Sequence, residues 1–255
     1  MSLQNINYSS EFLKLHAMKK YFLLFILALS AVITNAQKTI VADANAETRL
    51  LSGSFNAIKV SGGIDIYLSQ FESESLAVSA SEDNYKRNIK TIVENGTLNI
   101  YYDSDGGWSK GNKKLKVYIS FKNLEKIEAH GASDVHVAGT IFVAKLNLDL
   151  SGASDFKGDV AVTELKIDLS GASDVRISGS ATNASIESSG ASDVKGYDLV
   201  TENCFAKASG ASDINITVNK ELNVNASGAS DVFYRGSAVI RDLHTSGASS
   251  VARKS

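Results

Sequence analysis

One five-residue phrase, Ser-Gly-Ala-Ser-Asp, returns in full or near-full form down the C-terminal half of the chain. Its glycines are Gly131, Gly152, Gly171, Gly190, Gly210, Gly228 and Gly247. The intervals are 21, 19, 19, 20, 18 and 19 residues, a mean of (247 − 131)/6, or about 19. A fixed period of this length marks a repeat architecture, in which each unit buries its apolar face only by stacking on its neighbours. In the third repeat the apolar and small residues are Leu165, Ile167, Leu169, Gly171, Ser173, Val175, Ile177 and Gly179. All stand at odd positions, with polar residues and Ala172 between them. Period-two alternation is the pattern of an extended strand with one face buried. The second repeat (Leu146, Leu148, Leu150) and the sixth (Leu222, Val224, Ala226) keep it. By this parity the motif's Gly and second Ser face inward at a bend, and Ala and Asp face out. Coils stacked at the strand spacing of ~4.8 Å build a β-solenoid, about seven rungs spanning ~34 Å.

The chain before the repeats divides by composition. Residues 1–17 read as an upstream extension. From Met18, Lys19 and Lys20 precede the apolar run Tyr21–Ile33, and Thr34-Asn35-Ala36 ends in a small residue before Gln37. This is the layout of a secretory signal peptide over 18–36, and the run is shorter than the ~20 residues of a comfortable membrane span. No later segment of the mature chain is apolar for long enough to span. Residues 37–46 form a linker. Removing 1–36 leaves 23 Lys and Arg against 27 Asp and Glu, a net charge of −4. No concentrated basic face points to nucleic acid. With one cysteine and no proline, an exported chain of this kind relies on packing and ladder hydrogen bonds rather than an internal disulfide. Cys204 keeps the inward parity and reads as a core thiol.

Residues 47–128 are related but less regular. Ser61-Gly62-Gly63-Ile64-Asp65-Ile66 aligns with the repeat phrase, so it reads as a degenerate first rung with Ile64 facing the core. Asn95-Gly96 between alternating runs predicts a tight type I′ hairpin. Leu115, Val117, Ile119 and Phe121 form another strand, and 103–114 an exposed loop. Such an end region caps a solenoid and covers its open edge. The solenoid itself then runs over 129–250, with 251–255 as a tail.

The signal peptide, the Val60-Ser61-Gly62-Gly63-Ile64-Asp65-Ile66-Tyr67-Leu68 segment and the Gly-Ala-Ser-Asp turns together resemble the auto-transporter adhesin head GIN domain family of exported bacterial proteins. The naming triplet falls on Gly63-Ile64-Asp65, with Asp where the name has Asn. The resemblance covers roughly 50–250. It implies an all-β, right-handed parallel β-helix-like solenoid with a less regular N-terminal β cap, in the periplasm, on the outer-membrane surface or secreted. It carries no catalytic residues and no cofactor.

Three sets of residues are candidates for chemistry. The first is the outward series Asp134, Asp155, Asp174, Asp193, Asp213 and Asp231, which Ser250 ends. Carboxylates ~5 Å apart in water repel by ~0.8 kcal/mol per pair. Turn N–H groups can offset this. So can Ca²⁺ bound by carboxylates of adjacent rungs, although the motif lacks the dense Gly-Asp spacing of calcium-binding β-rolls. The second is the aromatic set: Trp108 in the Gly- and Lys-rich loop, with Tyr101 and Tyr118 outward by parity, all able to stack on sugar rings or cover an apolar end. The third is the lysine-rich stretch from Lys110 to Lys126, a solvated face or a contact for acidic polymers. The expected function is non-catalytic binding outside the cytoplasm, to extracellular glycans or matrix proteins. A structural envelope role with self-association is the alternative, and a polysaccharide-active enzyme is a second one. Uniform acids in every repeat argue against that last reading, because an active site is a local cluster.

Overall fold

The computed structural model describes residues 45–104 and 113–255, all within one unit spanning 40–255. The signal peptide, most of the linker and Trp108 lie outside the described residues. The alternating runs form long strands: β9 (Val135–Leu150), β10 (Asp155–Leu169), β11 (Asp174–Ser188), β12 (Asp193–Ala208) and β13 (Asp213–Ala226). They pair in parallel and in phase with the motif, so that Asp155, Asp174, Asp193 and Asp213 are successive partners. The first half of β13 continues onto β14 (Asp231–Arg235) and then β16 (Ser250–Arg253), and its second half onto β15 (Val239–Thr245). Each long strand thus serves two walls of a β-solenoid, bending midway and turning sharply at the motif. Irregular register within several strand pairs marks the mid-strand bend. Inward side chains stack in columns, for example Leu148, Ile167, Ile186, Ala206 and Val224, all buried.

The motif corner differs from the parity reading in one respect. The second Ser is buried in every repeat from Ser133 to Ser230, and Asp is only part-exposed, but the corner Gly lies at the surface. Its φ is near +80° (Gly210, +80°), so the alternation of faces breaks there. A Cβ on Gly210 would sit 2.6 Å from the carbonyl oxygen of Gly190. Glycine is therefore required by the close approach of the rung below rather than by the core.

The N-terminal region joins the same solenoid out of sequence order. β2 (Ala57–Val60), the 61–64 corner and β3 (Asp65–Gln70) make one rung, with Val60 beside Ala129 of β8 (Lys126–Ala129) and Ile66 beside Val135. This is the degenerate rung expected from sequence, yet it is not the outermost. β6 (Thr97–Tyr102) pairs in parallel with the far side of β2, and β7 (Lys116–Phe121) with the far side of β3. The rung at 57–70 is thus inserted between two rungs that follow it in the chain. Beyond them the strands reverse. β4 (Ser75–Ser79) runs antiparallel to β7, β1 (Glu47–Arg49) to β4, and β5 (Ile89–Glu94) to β6. The β5–β6 turn holds Asn95 and Gly96 at φ +50° and +75°, as a type I′ turn needs. A short helix, α1 (Asp83–Asn88), links β4 to β5. At the other end β16 carries the last rung past residue 250 into the stretch read as a tail. No helix among the described residues is long and apolar enough to cross a membrane.

Candidate binding surface on the solenoid wall

The corner builds two polar columns. Inside, buried Ser hydroxyls accept an N–H from the rung before: Ser133 N to Ser154 Oγ at 3.2 Å, and Ser173 N to Ser192 Oγ at 3.2 Å. Hydroxyls of the column also donate to carbonyls, Ser230 Oγ to Ser227 O at 2.8 Å for one. Every buried hydroxyl needs such partners, because an unpaired one costs about 1–3 kcal/mol.

Outside runs the aspartate column, and the structure brings the whole predicted series together in register from Asp134 to Asp231. Asp65 extends it by one rung, since Ile66 pairs Val135. Repulsion is offset in two ways. Carboxylates accept the N–H of the next rung: Asp155 Oδ1 from Asp174 N (3.3 Å) and Asp231 Oδ1 from Ser250 N (3.1 Å). Two residues further along the same wall stands a parallel basic column, Lys157, Arg176 and Lys195. Lys195 Nζ reaches Asp174 at 2.7 Å and Asp193 at 3.6 Å, and its hydrogen bond to Asp174 holds its pKa above the usual lysine value. Burial, with the neighbouring Asp134, raises the Asp65 carboxyl; burial, with Asp193, raises that of Asp213. Among the described residues no three His, Cys, Asp or Glu side chains converge as a metal group. The aspartates form a line, not a cage.

The aromatic candidates separate. Tyr101 is exposed on β6. Tyr118 points away from the core as parity demands, but only 7% of it is accessible. Its ring stacks on Tyr67 at 5.1 Å, and Tyr67 stacks on His136 at 5.1 Å in turn. The ring stacking of Tyr118 is thus made within the wall. Tyr67, His136, Lys157, Arg176 and Lys195 form one continuous column. Parity placed no emphasis on Tyr67 or His136; their partnership depends on the inserted rung.

A second grouping was not legible from spacing. His130 stands where later repeats carry Ser, and its Nδ1 lies 2.6 Å from Ser151 Oγ. Glu128 Oε2 is 3.7 Å from His130 Nε2, beyond hydrogen-bond reach, and is engaged by Lys126 and by Lys59 at 3.2 Å. Burial raises the Glu128 carboxyl, but those two lysines outweigh it and hold it below the ordinary range. The contact between His130 and Ser151 therefore ties two rungs together at the corner. Cys204 is buried as expected, and burial pushes its thiol up to about 12, leaving it without thiolate character at neutral pH.

Corners, columns and walls define a parallel β-solenoid in which the corner Ser and Asp recur from rung to rung. The chain belongs to the family described as "Putative auto-transporter adhesin, head GIN domain", whose model matches residues 54–238. Solved structures share the fold. A "putative adhesin" from Bacteroides fragilis is 23% identical, with a TM-score of 0.76 over 83% of this chain and 98% of that one. A "putative lipid binding protein" from Parabacteroides distasonis is 19% identical, with a TM-score of 0.64 over 84% and 98%. A "putative adhesin" from Parabacteroides merdae is 18% identical, with a TM-score of 0.57 over 84% and 98%. No curated protein matches the chain.

Proposed function

We propose that the chain is an exported, non-catalytic adhesion module that uses a solenoid wall for multivalent contact with extracellular glycans or matrix proteins. One observation carries this reading. An acidic column repeats in register from Asp134 to Asp231 and a basic one stands beside it over three successive rungs, so the wall offers several similar weak contacts in place of one reactive cluster. Linked equivalent sites gain avidity without any single strong contact. Family membership and the signal peptide read over 18–36 support the location. The test has two arms. Protease shaving of intact cells should remove the protein, and glycan and matrix-protein arrays should capture it. Replacing Lys157, Arg176 and Lys195 together by Ala should then reduce capture at least tenfold. A protein shielded inside the envelope, or one captured by nothing, would overturn the reading. A structural envelope role is the second reading, favoured by the edges of β15 and β16, with which no further strand among the described residues pairs.

A further inference from the structure

The core columns do not stop inside the molecule; they run out through its C-terminal end. Val224 is 2% accessible, whereas Leu243, the next residue in its column, is 49% accessible. Ile240 and Val251, which end the neighbouring columns, are half-buried, and Val239 beside them is 56% accessible. On the two walls β15 and β16 are edge strands, and no strand among the described residues pairs with their outer sides. An edge of this kind presents a row of free N–H and C=O groups and seeks another strand.

We propose that this end is a self-association surface, where a second copy of the chain docks end to end about a two-fold axis. Three observations select that occupant. The first is shape: the end presents two strand edges with apolar side chains between them. A single extended peptide covers one edge, whereas a second solenoid end covers both.

The second is self-complementarity. Register along β13 and β15 shifts at Arg241, with Ile240 beside Leu222, Asp242 beside Asn223 and Leu243 beside Val224. The bulge turns Ile240 and Leu243 to the same inner side. In antiparallel pairing about a two-fold between 241 and 242, Ile240 meets Leu243 of the second copy, and Arg241, which within its own chain donates to Glu221 at 2.8 Å, comes beside its Asp242. Apolar faces apolar, as an isologous contact requires, and the two-fold sets each Arg241–Glu221 pair beside an Asp242 of the other copy.

The third is the contrast with the other end. There antiparallel β1, β4 and β5 and helix α1 interrupt the parallel stacking. Head-to-tail growth is thereby disfavoured, and association closes at two. A face ~23 Å by ~20 Å buries on the order of 900 Å² in total, below the ~1,000 Å² of a stable specific interface, so a weak, transient dimer is expected.

Sedimentation velocity on the purified protein from about 5 to 500 µM tests this. The expected result is a reversible monomer–dimer equilibrium, weakened at least tenfold by Leu243→Lys and unchanged by Ile92→Lys at the opposite end. Arg241→Asp and Asp242→Arg should each be monomeric alone, while their mixture forms a heterodimer; circular dichroism confirms that each variant is folded. A protein monomeric at 500 µM, association that survives Leu243→Lys, species growing beyond dimers, or charge variants that fail to pair when mixed would each overturn the proposal.

Discussion

The inserted N-terminal rung and the repeat rungs turn the same corner with different means. At the buried corner position the first carries Ile64, and the later ones carry Ser133 to Ser230. Ile64 fills space, and its N–H ends the hydroxyl chain on Ser133 Oγ at 3.3 Å. Around it the N-terminal core is built of large residues such as Ile58, Leu68, Leu98 and Phe121. The mid-solenoid interior contains many small ones, Ala184, Ala206, Ala208, Ala226 and Cys204 among them. Apolar burial contributes roughly in proportion to area, about 25 cal/mol per Å², so the narrow rungs gain less from side chains. Their order depends more on backbone ladder bonds and on corners that let rungs approach. One end of the molecule is held mainly by volume, the middle mainly by geometry.

The largest effect should come from disturbing that geometry. Gly210→Ala combines a φ of +80° with a Cβ placed 2.6 Å from backbone, which cannot retreat without opening the rung. We expect a loss of more than about 4 kcal/mol, in the range reserved for severe steric conflict. Gly139 has nearly the same φ, +84°, but open space where its Cβ would go. Gly139→Ala should therefore cost only the left-handed penalty of about 1–2 kcal/mol. Denaturant unfolding of both variants checks the claim; equal losses would show that φ alone, and not rung contact, demands glycine.

Next in size is the exchange between volume and hydrogen bonding. Ile64→Ala should cost about 2–5 kcal/mol, as buried aliphatic truncations do. Ser192→Ala leaves the Ser173 N–H, 3.2 Å from the lost oxygen, without an acceptor and should cost about 1–3 kcal/mol. Its loss should also appear as faster amide exchange at Ser173, while Ile64→Ala loosens β3 and β7 together. If both variants lose the same stability with the same exchange pattern, the two regions are not built differently.

How much of this was readable beforehand follows from how local each feature is. The period placed the corners, and parity placed Leu148, Leu165 and Cys204 inside and the aspartates outside, because those depend only on neighbours along a strand. Gly152 and its equivalents were assigned inward because parity assumes an extended backbone, and a positive φ breaks that assumption. The order of β2, β3, β6, β7 and β8 was hidden for another reason. All five alternate in the same way, and nothing local states which edge a strand will choose. That hidden order is also what lays Tyr67 between Tyr118 and His136 and buries a ring expected to be available. Trp108 lies outside the described residues, so its two sequence readings, stacking on a sugar ring or covering an apolar end, are not placed.

The smallest prediction concerns the break in charge pairing along the wall. Beside Asp174 and Asp193 stands Lys195, but the next step of the basic column is Asn215, beside Asp213. Burial raises the Asp213 carboxyl, Asp193 adds to it, and the Asp231 N–H opposes both. A carboxyl with a raised folded pKa binds more protons folded than unfolded between the two values. This group therefore destabilises the fold above its folded pKa, and the penalty fades as pH falls toward the ordinary carboxylate value. Asn215→Lys supplies the missing cation and should stabilise the protein at pH 7 by about 0.2–1 kcal/mol, the size of a part-exposed ion pair. The gain should shrink as pH drops through the Asp213 titration and as salt is raised, because both weaken the pairing. Thermal unfolding at pH 7 and pH 3, at low and high salt, reads it directly. A gain of the same size at pH 3 would mean that the introduced lysine acts through its alkyl chain, and that the aspartate column needs no cation beside it.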